Sequence, residues 1–196
     1  KLKKILQRLA ELGTLFTQNL LKDERDWSLI VTEKDLIGCP QFIKDAASEA
    51  AKERGLDGYI ITLSRSLIVP FLQFSPRRDL RQKAFSAWEL RGANPGKTNN
   101  LDIVQETLTL RQERATLLGH NTFSEFKLET EMAKKPEKVT ELLMAVWEPA
   151  KLMANRDAKI LTEMMQADGF HEKFLPSDWR YYSEKRRASE HDLNET

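Results

Sequence analysis

Residues 171–175 come closest in this sequence to a metal-binding motif. They read His-Glu-Lys-Phe-Leu, which begins like the zinc helix His-Glu-x-x-His, where two imidazoles one turn apart hold the metal and the glutamate activates water. Leu175 occupies the second ligand position, and Pro176 follows it, so the required helical turn is not expected. The other histidines, His120 and His191, are distant in the sequence. The sequence therefore predicts neither a metal site nor a catalytic residue in this chain.

Residues 92–98 end like a phosphate-binding loop, with a lysine and a threonine after the second glycine. However, only three residues separate the two glycines, where the motif requires four. The segment also follows a predicted helix, whereas a phosphate-binding loop follows a strand. We therefore do not interpret it as a nucleotide site.

Residues 178–182 are the strongest candidate for substrate contact. They read Asp-Trp-Arg-Tyr-Tyr, which places three large aromatic side chains and one arginine at the start of a predicted helix. Arg180 and Tyr182 are candidate substrate-binding residues, because a guanidinium group and a phenol could hold a peptide carboxylate or carbonyl group. The alternative is that the aromatic residues pack the helix into the core.

The elements that would position this cluster are mostly helical. Apolar residues at three- and four-residue steps predict a helix over 2–22, and an alanine-rich run predicts another from Pro40 to Gly55. Between and after them, 27–31 and 58–63 are rich in β-branched and aromatic residues, which predicts two short strands.

From Pro76 onward almost every segment has helical periodicity. The pattern predicts helices over about 80–91 and 101–118, with Asn99 or Asn100 as a cap, and a short element near 123–128. Pro136 should open the longest helix, ending near Gly169, with a kink or a new start at Pro149, and the last helix should begin at Ser177 or Asp178. The expected fold is mainly α: a multi-helix bundle with a short β pair.

The composition is that of a globular chain. Hydrophobic residues make up 40% and charged residues 31%, and the net charge is +1. So small a charge does not favour nucleic acid or an acidic membrane surface as a partner. No apolar run approaches the roughly 20 residues of a membrane span, and the single Cys39 excludes an internal disulfide.

The order of several short segments resembles the thimet oligopeptidase family of zinc metallopeptidases, in its bacterial peptidyl-dipeptidase and oligopeptidase A branch. No segment is distinctive alone, but together they extend from about Leu15 to Leu193. The segments are 16–20, 27–32, 36–40, 61–66, 69–72, 77–81, 91–92, 110–115, 117–119, 132–134, 146–149 and 178–182. Ser177 departs from the family, which usually has tryptophan there, and Lys135 replaces a usual threonine or serine.

This resemblance implies a larger, two-lobed helical enzyme that admits short peptides to a deep channel. Its Zn²⁺ would be held by a His-Glu-x-x-His motif and a later glutamate, for which this chain contains no matching positions. We expect the 196 residues to be one partial helical segment upstream of the metal site, with no internal boundary assigned and a candidate sub-boundary near residue 75. We expect this segment to form part of the channel wall, to bind no zinc, and to be inactive alone.

The expected partners are short peptides, for the whole enzyme, and the remainder of the same polypeptide; neither nucleic acid nor a membrane is expected. The expected location is cytoplasmic. The alternative function is a non-catalytic helical adaptor that binds partners through an exposed groove.

Overall fold

The computed structural model describes residues 1–191 and is mainly α, as predicted. The helices are α1 (Leu2–Asp26), α2 (Gln41–Glu53), α3 (Arg65–Phe74), α4 (Arg78–Glu89), α5 (Leu101–Leu117), α6 (Phe123–Leu128), α7 (Pro136–Ala167) and α8 (Pro176–His191). Two strands, β1 (Leu29–Val31) and β2 (Tyr59–Ile61), pair antiparallel, and a 3₁₀ helix covers Glu33–Leu36. The predicted β pair and all the predicted helices are therefore present, and the structure adds α3.

The chain divides into two compact units. The first contains Lys1–Leu21 and Gly92–Asn155, and the second contains Lys22–Arg91 and Arg156–Thr196. Residue 75 lies inside the second unit, and the sub-boundary predicted near it stays a prediction.

The first unit is built on α1, α5 and α6. Ile5, Leu12 and Ala115 are its buried apolar residues. Arg8 donates two hydrogen bonds to Glu106 across α1 and α5, at 2.6 and 2.8 Å. Asn100, at the start of α5, accepts a bond from the Asn19 side chain at 2.8 Å. Polar bonds at two points along α1 therefore join it to the first half of α5.

The second unit holds the larger core. Residues from β1, β2, α2, α3 and α4 form a continuous apolar cluster that includes Ile43, Ile61, Ile68, Phe71 and Leu72, each fully buried. The strands contribute Val31 and Ile61, β-branched residues that suit the pleated surface. Ile30 lies opposite Ile60 in the register. A second cluster, centred on Leu161, Met165 and Tyr182, packs α7 against α8.

Helix α3 has no counterpart among the predicted elements, and Pro70 lies in its interior. Proline removes a helical hydrogen bond and normally ends or kinks a helix. Here Leu67, Ile68, Phe71 and Leu72 are all nearly or fully buried, so packing of an apolar face outweighs the lost bond.

Several predicted boundaries shift in the structure. α1 continues to Asp26, past the predicted end at residue 22. α8 begins at Pro176, one residue before the predicted caps, because proline suits the first helical turn and Asp178 accepts the Leu175 N–H. α7 runs through Pro149 as one helix and does not restart there.

The single cysteine, Cys39, is buried and unpaired. Burial raises the pKa of its thiol, although a hydrogen bond with Ser75 acts in the opposite direction. Over the described residues 1–191, no helix is both long and apolar enough to cross a membrane.

Candidate functional site

The start of α8 is anchored by a buried carboxylate in the second unit. Asp178 is fully buried and accepts hydrogen bonds from Arg78 at 3.0 and 3.1 Å and from Arg81 at 3.0 Å. It also accepts the backbone N–H of Leu175 at 3.0 Å. Both arginines lie on α4, so this one carboxylate joins α4 to α8 and the loop before it.

Asp178 remains ionised despite its burial. Burial alone would raise its pKa, but hydrogen bonds from Arg78, the Leu175 amide and Arg81 outweigh that effect and lower the pKa. The two arginines also bond to backbone carbonyl groups, Arg81 to Ser75 at 2.7 Å and Arg78 to Lys173 at 2.7 Å. These fixed charges and carbonyl bonds hold the α8 N-terminus rigidly.

The aromatic residues after Asp178 continue this packing. The Arg81 guanidinium lies 4.2 Å from the centre of the Tyr181 ring, within cation–π range. Tyr181 meets Tyr182 edge to face at 5.1 Å. Tyr182 is fully buried, and that burial, with the nearby Asp168 carboxylate, raises the pKa of its phenol.

An open aromatic pocket of about 620 Å³ lies beside this anchor. We define the aromatic pocket by its lining residues, which are Phe85, Phe174, Leu175, Pro176, Trp179 and Arg180. Phe174 and Trp179 meet edge to face, with ring centres 6.1 Å apart. Such a pocket could take an apolar or aromatic side chain.

Arg180 supplies the charge at this pocket. Its side chain is exposed, and its guanidinium lies 5.7 Å from the centre of the Trp88 ring. Within the part of the chain that the structure describes, no carboxylate forms an ion pair with Arg180. The group can therefore meet a carboxylate or carbonyl of a bound molecule while Trp88 supports it from one side.

The structure thus separates the two candidate residues. Arg180 lines the aromatic pocket, whereas Tyr182 has no exposed surface on this chain and packs against α7. Substrate contact by Arg180 and Tyr182 stays a prediction. Phe85 lines the pocket and Trp88 lies beside Arg180. Neither is identifiable as a site residue from the sequence, because their positions on α4 are also those of ordinary core residues.

The histidines of the chain lie apart from one another in the sequence, and those whose side chains the structure describes, His120 and His171, do not line the aromatic pocket. Residues 171–175 lie in the loop between α7 and α8, with His171 exposed, and His120 contacts Phe126 edge to face at 5.5 Å. The side chain of His191 lies outside what the structure describes. Among the described residues, no three histidine, cysteine, aspartate or glutamate side chains converge as metal ligands.

Comparison with known proteins relates this chain to one peptidase family. The family model for peptidase family M3 matches residues 71–196. Oligopeptidase A of Haemophilus influenzae is 34% identical over 196 residues, covering 97% of this chain and 29% of that protein. Oligopeptidase A of Escherichia coli is 30% identical with the same coverage, and the dipeptidyl carboxypeptidase of Escherichia coli is 30% identical over 199 residues, covering 100% of this chain and 29% of that protein.

These matches confirm the resemblance to the thimet oligopeptidase family, in its oligopeptidase A and peptidyl-dipeptidase branch. They also set its extent, since the chain spans about 29% of the length of the relatives just named. With the family model covering most of the sequence, this chain belongs to peptidase family M3.

Proposed function

We propose that this chain is part of a zinc-dependent peptidase that hydrolyses short peptides, in which it forms one wall of the substrate channel. The observation that carries the proposal is the family match over residues 71–196, which includes α4, α8 and the aromatic pocket. The relatives' names, oligopeptidase and dipeptidyl carboxypeptidase, indicate peptides as the substrate class. The proposed location is cytoplasmic, in keeping with a relative named as a cytosolic oligopeptidase A.

Zinc belongs to the whole enzyme in this proposal, and none is bound by residues 1–196. The only sequence that begins like a zinc helix, at 171–175, has Leu175 at the second ligand position. When bound elsewhere in the polypeptide, zinc would activate water for attack on the peptide bond. The contribution of this chain is then to hold and orient peptide rather than to perform the chemistry.

The aromatic pocket gives this role a physical basis. A peptide side chain could pack against Phe85, Phe174 and Trp179, while the Arg180 guanidinium pairs with a carboxylate or carbonyl of the same peptide. The anchor formed by Asp178 keeps the α8 N-terminus in place beneath the pocket. Positioning residues held by a rigid support increase the fraction of bound substrate in a reactive geometry.

The test is a kinetic comparison of variants in the complete peptidase. Arg180→Ala should raise KM by roughly 5- to 150-fold, the equivalent of losing about 1–3 kcal/mol of binding, while kcat changes little. Arg156→Ala is the matched control, since Arg156 is another exposed arginine of the same unit, on α7, and does not line the aromatic pocket. Equal KM values for Arg180→Ala and the wild type would show that the pocket does not contact substrate.

A second measurement addresses the metal. The 196-residue protein, dialysed and analysed for zinc, should retain far less than one ion per chain and should not cleave a fluorogenic peptide. One tightly held Zn²⁺ per chain would contradict this part of the proposal.

The alternative function is a helical adaptor, and the exposed apolar residues of α7 are the observation that supports it. The adaptor would be favoured if the protein bound partners and its polypeptide contained no peptidase metal motif.

A further inference from the structure

A second cavity, in the first unit, combines an apolar lining with two arginines. It lies between α1, α5 and the first residue of α6 and has a volume of about 590 Å³. We call it the α1–α5 groove. The residues used below are Leu12, Gly13, Phe16, Val104, Leu108, Arg111, Arg114 and Phe123, all of which line it. Its size is within the range of small-molecule and peptide side-chain sites.

The walls of the α1–α5 groove are apolar and accessible. Leu12 is buried, at 1% exposed, whereas Phe16, Val104 and Leu108 are 36%, 39% and 58% exposed. Exposed apolar side chains that share one concave surface are a common feature of binding sites, unlike single exposed ones. The groove could therefore bury an apolar group of a ligand.

Arg111 and Arg114 carry two positive charges on one face of α5, since residues three apart are neighbours on a helix. Each guanidinium lies over an aromatic ring of α6: Arg111 is 5.3 Å from the centre of Phe123, and Arg114 is 4.8 Å from the centre of Phe126. Stacking on a ring leaves the edges of the planar group, with their N–H donors, free to bind an anion.

Neither arginine has a carboxylate partner within the described range 1–191, and the Nε of Arg114 is buried without an acceptor there. Apart from each other, their neighbours three and four residues away on α5 are apolar residues or threonine, so no acidic residue lies at the spacing of one helical turn. The nearby Arg8 differs, because it bonds to both Glu106 and Glu11. A pair of like charges without a counter-ion is unfavourable unless an anion completes it.

We infer that the α1–α5 groove binds the C-terminal residue of a peptide, with its apolar side chain against Phe16, Val104 and Leu108 and its α-carboxylate on Arg111 and Arg114. The groove requires a ligand that carries an apolar group beside a single carboxylate, and a peptide C-terminus has both. Guanidinium groups bind carboxylates with two parallel hydrogen bonds, which also fixes orientation. The inference rests on the proposed function only in choosing a peptide as the ligand.

The experiment measures binding of N-acetyl-Leu-Leu-Phe as the free acid and as the C-terminal amide, by calorimetry on the 196-residue protein. The acid should bind at least 10-fold more tightly than the amide, and its affinity should fall as salt rises. Arg114→Gln and Arg111→Gln should each remove most of the preference for the acid. Lys127→Gln is the matched control, because it removes one exposed positive charge of the same unit outside the groove.

Gly13→Leu tests the apolar part of the site. A Cβ at Gly13 would meet no atom within 4 Å, and the residue lies inside α1 with ordinary helical backbone. The added side chain should fill the groove and weaken binding of both peptides without lowering the melting temperature. Unchanged binding by this variant would place the peptide elsewhere and overturn the assignment.

Two other outcomes would overturn the inference: no binding of either peptide, or equal affinities for the acid and the amide. Neither depends on hydrolysis. If the complete enzyme cleaves peptides but this protein binds the free-acid and amide peptides equally, the α1–α5 groove is not a carboxylate site. The proposed function is then unaffected. Conversely, an acid preference lost in Arg114→Gln would support the groove even if no peptide were cleaved.

Discussion

Asp178→Asn should be among the most destabilising single changes in this chain. It removes the charge that compensates two arginines, of which Arg81 is 1% and Arg78 is 15% exposed. Asn is nearly isosteric, so the loss is electrostatic and involves the N–H donors of both arginines and of Leu175. Breaking a buried pair by removing one partner typically costs about 3–5 kcal/mol, because the remaining charge stays buried and unpaired.

For a chain of this size, such a loss corresponds to a fall in Tm of about 6–20 °C. Circular dichroism at 222 nm, followed during heating and in urea, measures it. Asp157→Asn is the matched control: the same substitution in an ion pair with Arg186 at 3.0 Å, but with a side chain 38% exposed. Exposed pairs contribute about 1 kcal/mol or less, so the control should melt within a few degrees of the wild type.

Asp178 is not the anchor of α8 if Asp178→Asn and Asp157→Asn lower Tm by the same small amount. That result would mean that water or another group solvates Arg81 as well as the carboxylate does. A large loss in both variants would show that burial is not the deciding variable. Only a large loss confined to Asp178→Asn supports the assignment of this carboxylate as the anchor of α8.

Three further predictions follow from the same structure. The pKa of Asp178 is lowered in the folded chain, so the carboxylate's contribution to stability is present above its unfolded pKa. That contribution is lost as the pH falls through the lower, folded pKa. In urea titrations the stability advantage of the wild type over Asp178→Asn should therefore shrink below about pH 4. Gly92→Ala should cost more than Gly119→Ala in thermal melts, by about 1–2 kcal/mol, because both glycines have positive φ but only at Gly92 would a Cβ lie 2.7 Å from Leu20. The protein should associate at high concentration through the exposed apolar residues of 142–153, so light scattering of the wild type should show larger species than that of Leu152→Ser, whose side chain is 70% exposed.

Local pattern was sufficient to predict most elements. The apolar periodicity of α1, α5 and α7, the strand composition at residues 29–31 and 59–61, and Pro136 at the start of α7 all predicted what the structure contains. In each case one stretch of sequence contains the whole signal. Helix α3 is the exception: no element is predicted there, and burial of four apolar residues stabilises a helix that Pro70 would normally end or kink.

The candidate site was less predictable, since its parts come from distant segments. Arg78 and Arg81 lie about 100 residues before the Asp178 carboxylate that they bind, and no spacing rule relates positions so far apart. Likewise, Phe85 and Trp88 have the positions of core residues on an amphipathic helix until α8 is placed beside them. The sequence identified residues 178–182 as a cluster but could not show which of them are buried.

Helix geometry explains how that cluster divides. Successive residues are turned by about 100°, so Asp178 and Tyr182 lie on the same side of α8, while Arg180 lies nearly opposite Asp178. The structure follows this rule, with Asp178 and Tyr182 fully buried and Arg180 exposed. The buried side holds α8 against α4 and α7, and the same helix presents Arg180 at the aromatic pocket. Because one short segment both fixes the helix and lines the pocket, a change at Asp178 should disturb the pocket through stability, whereas a change at Arg180 should act on binding alone.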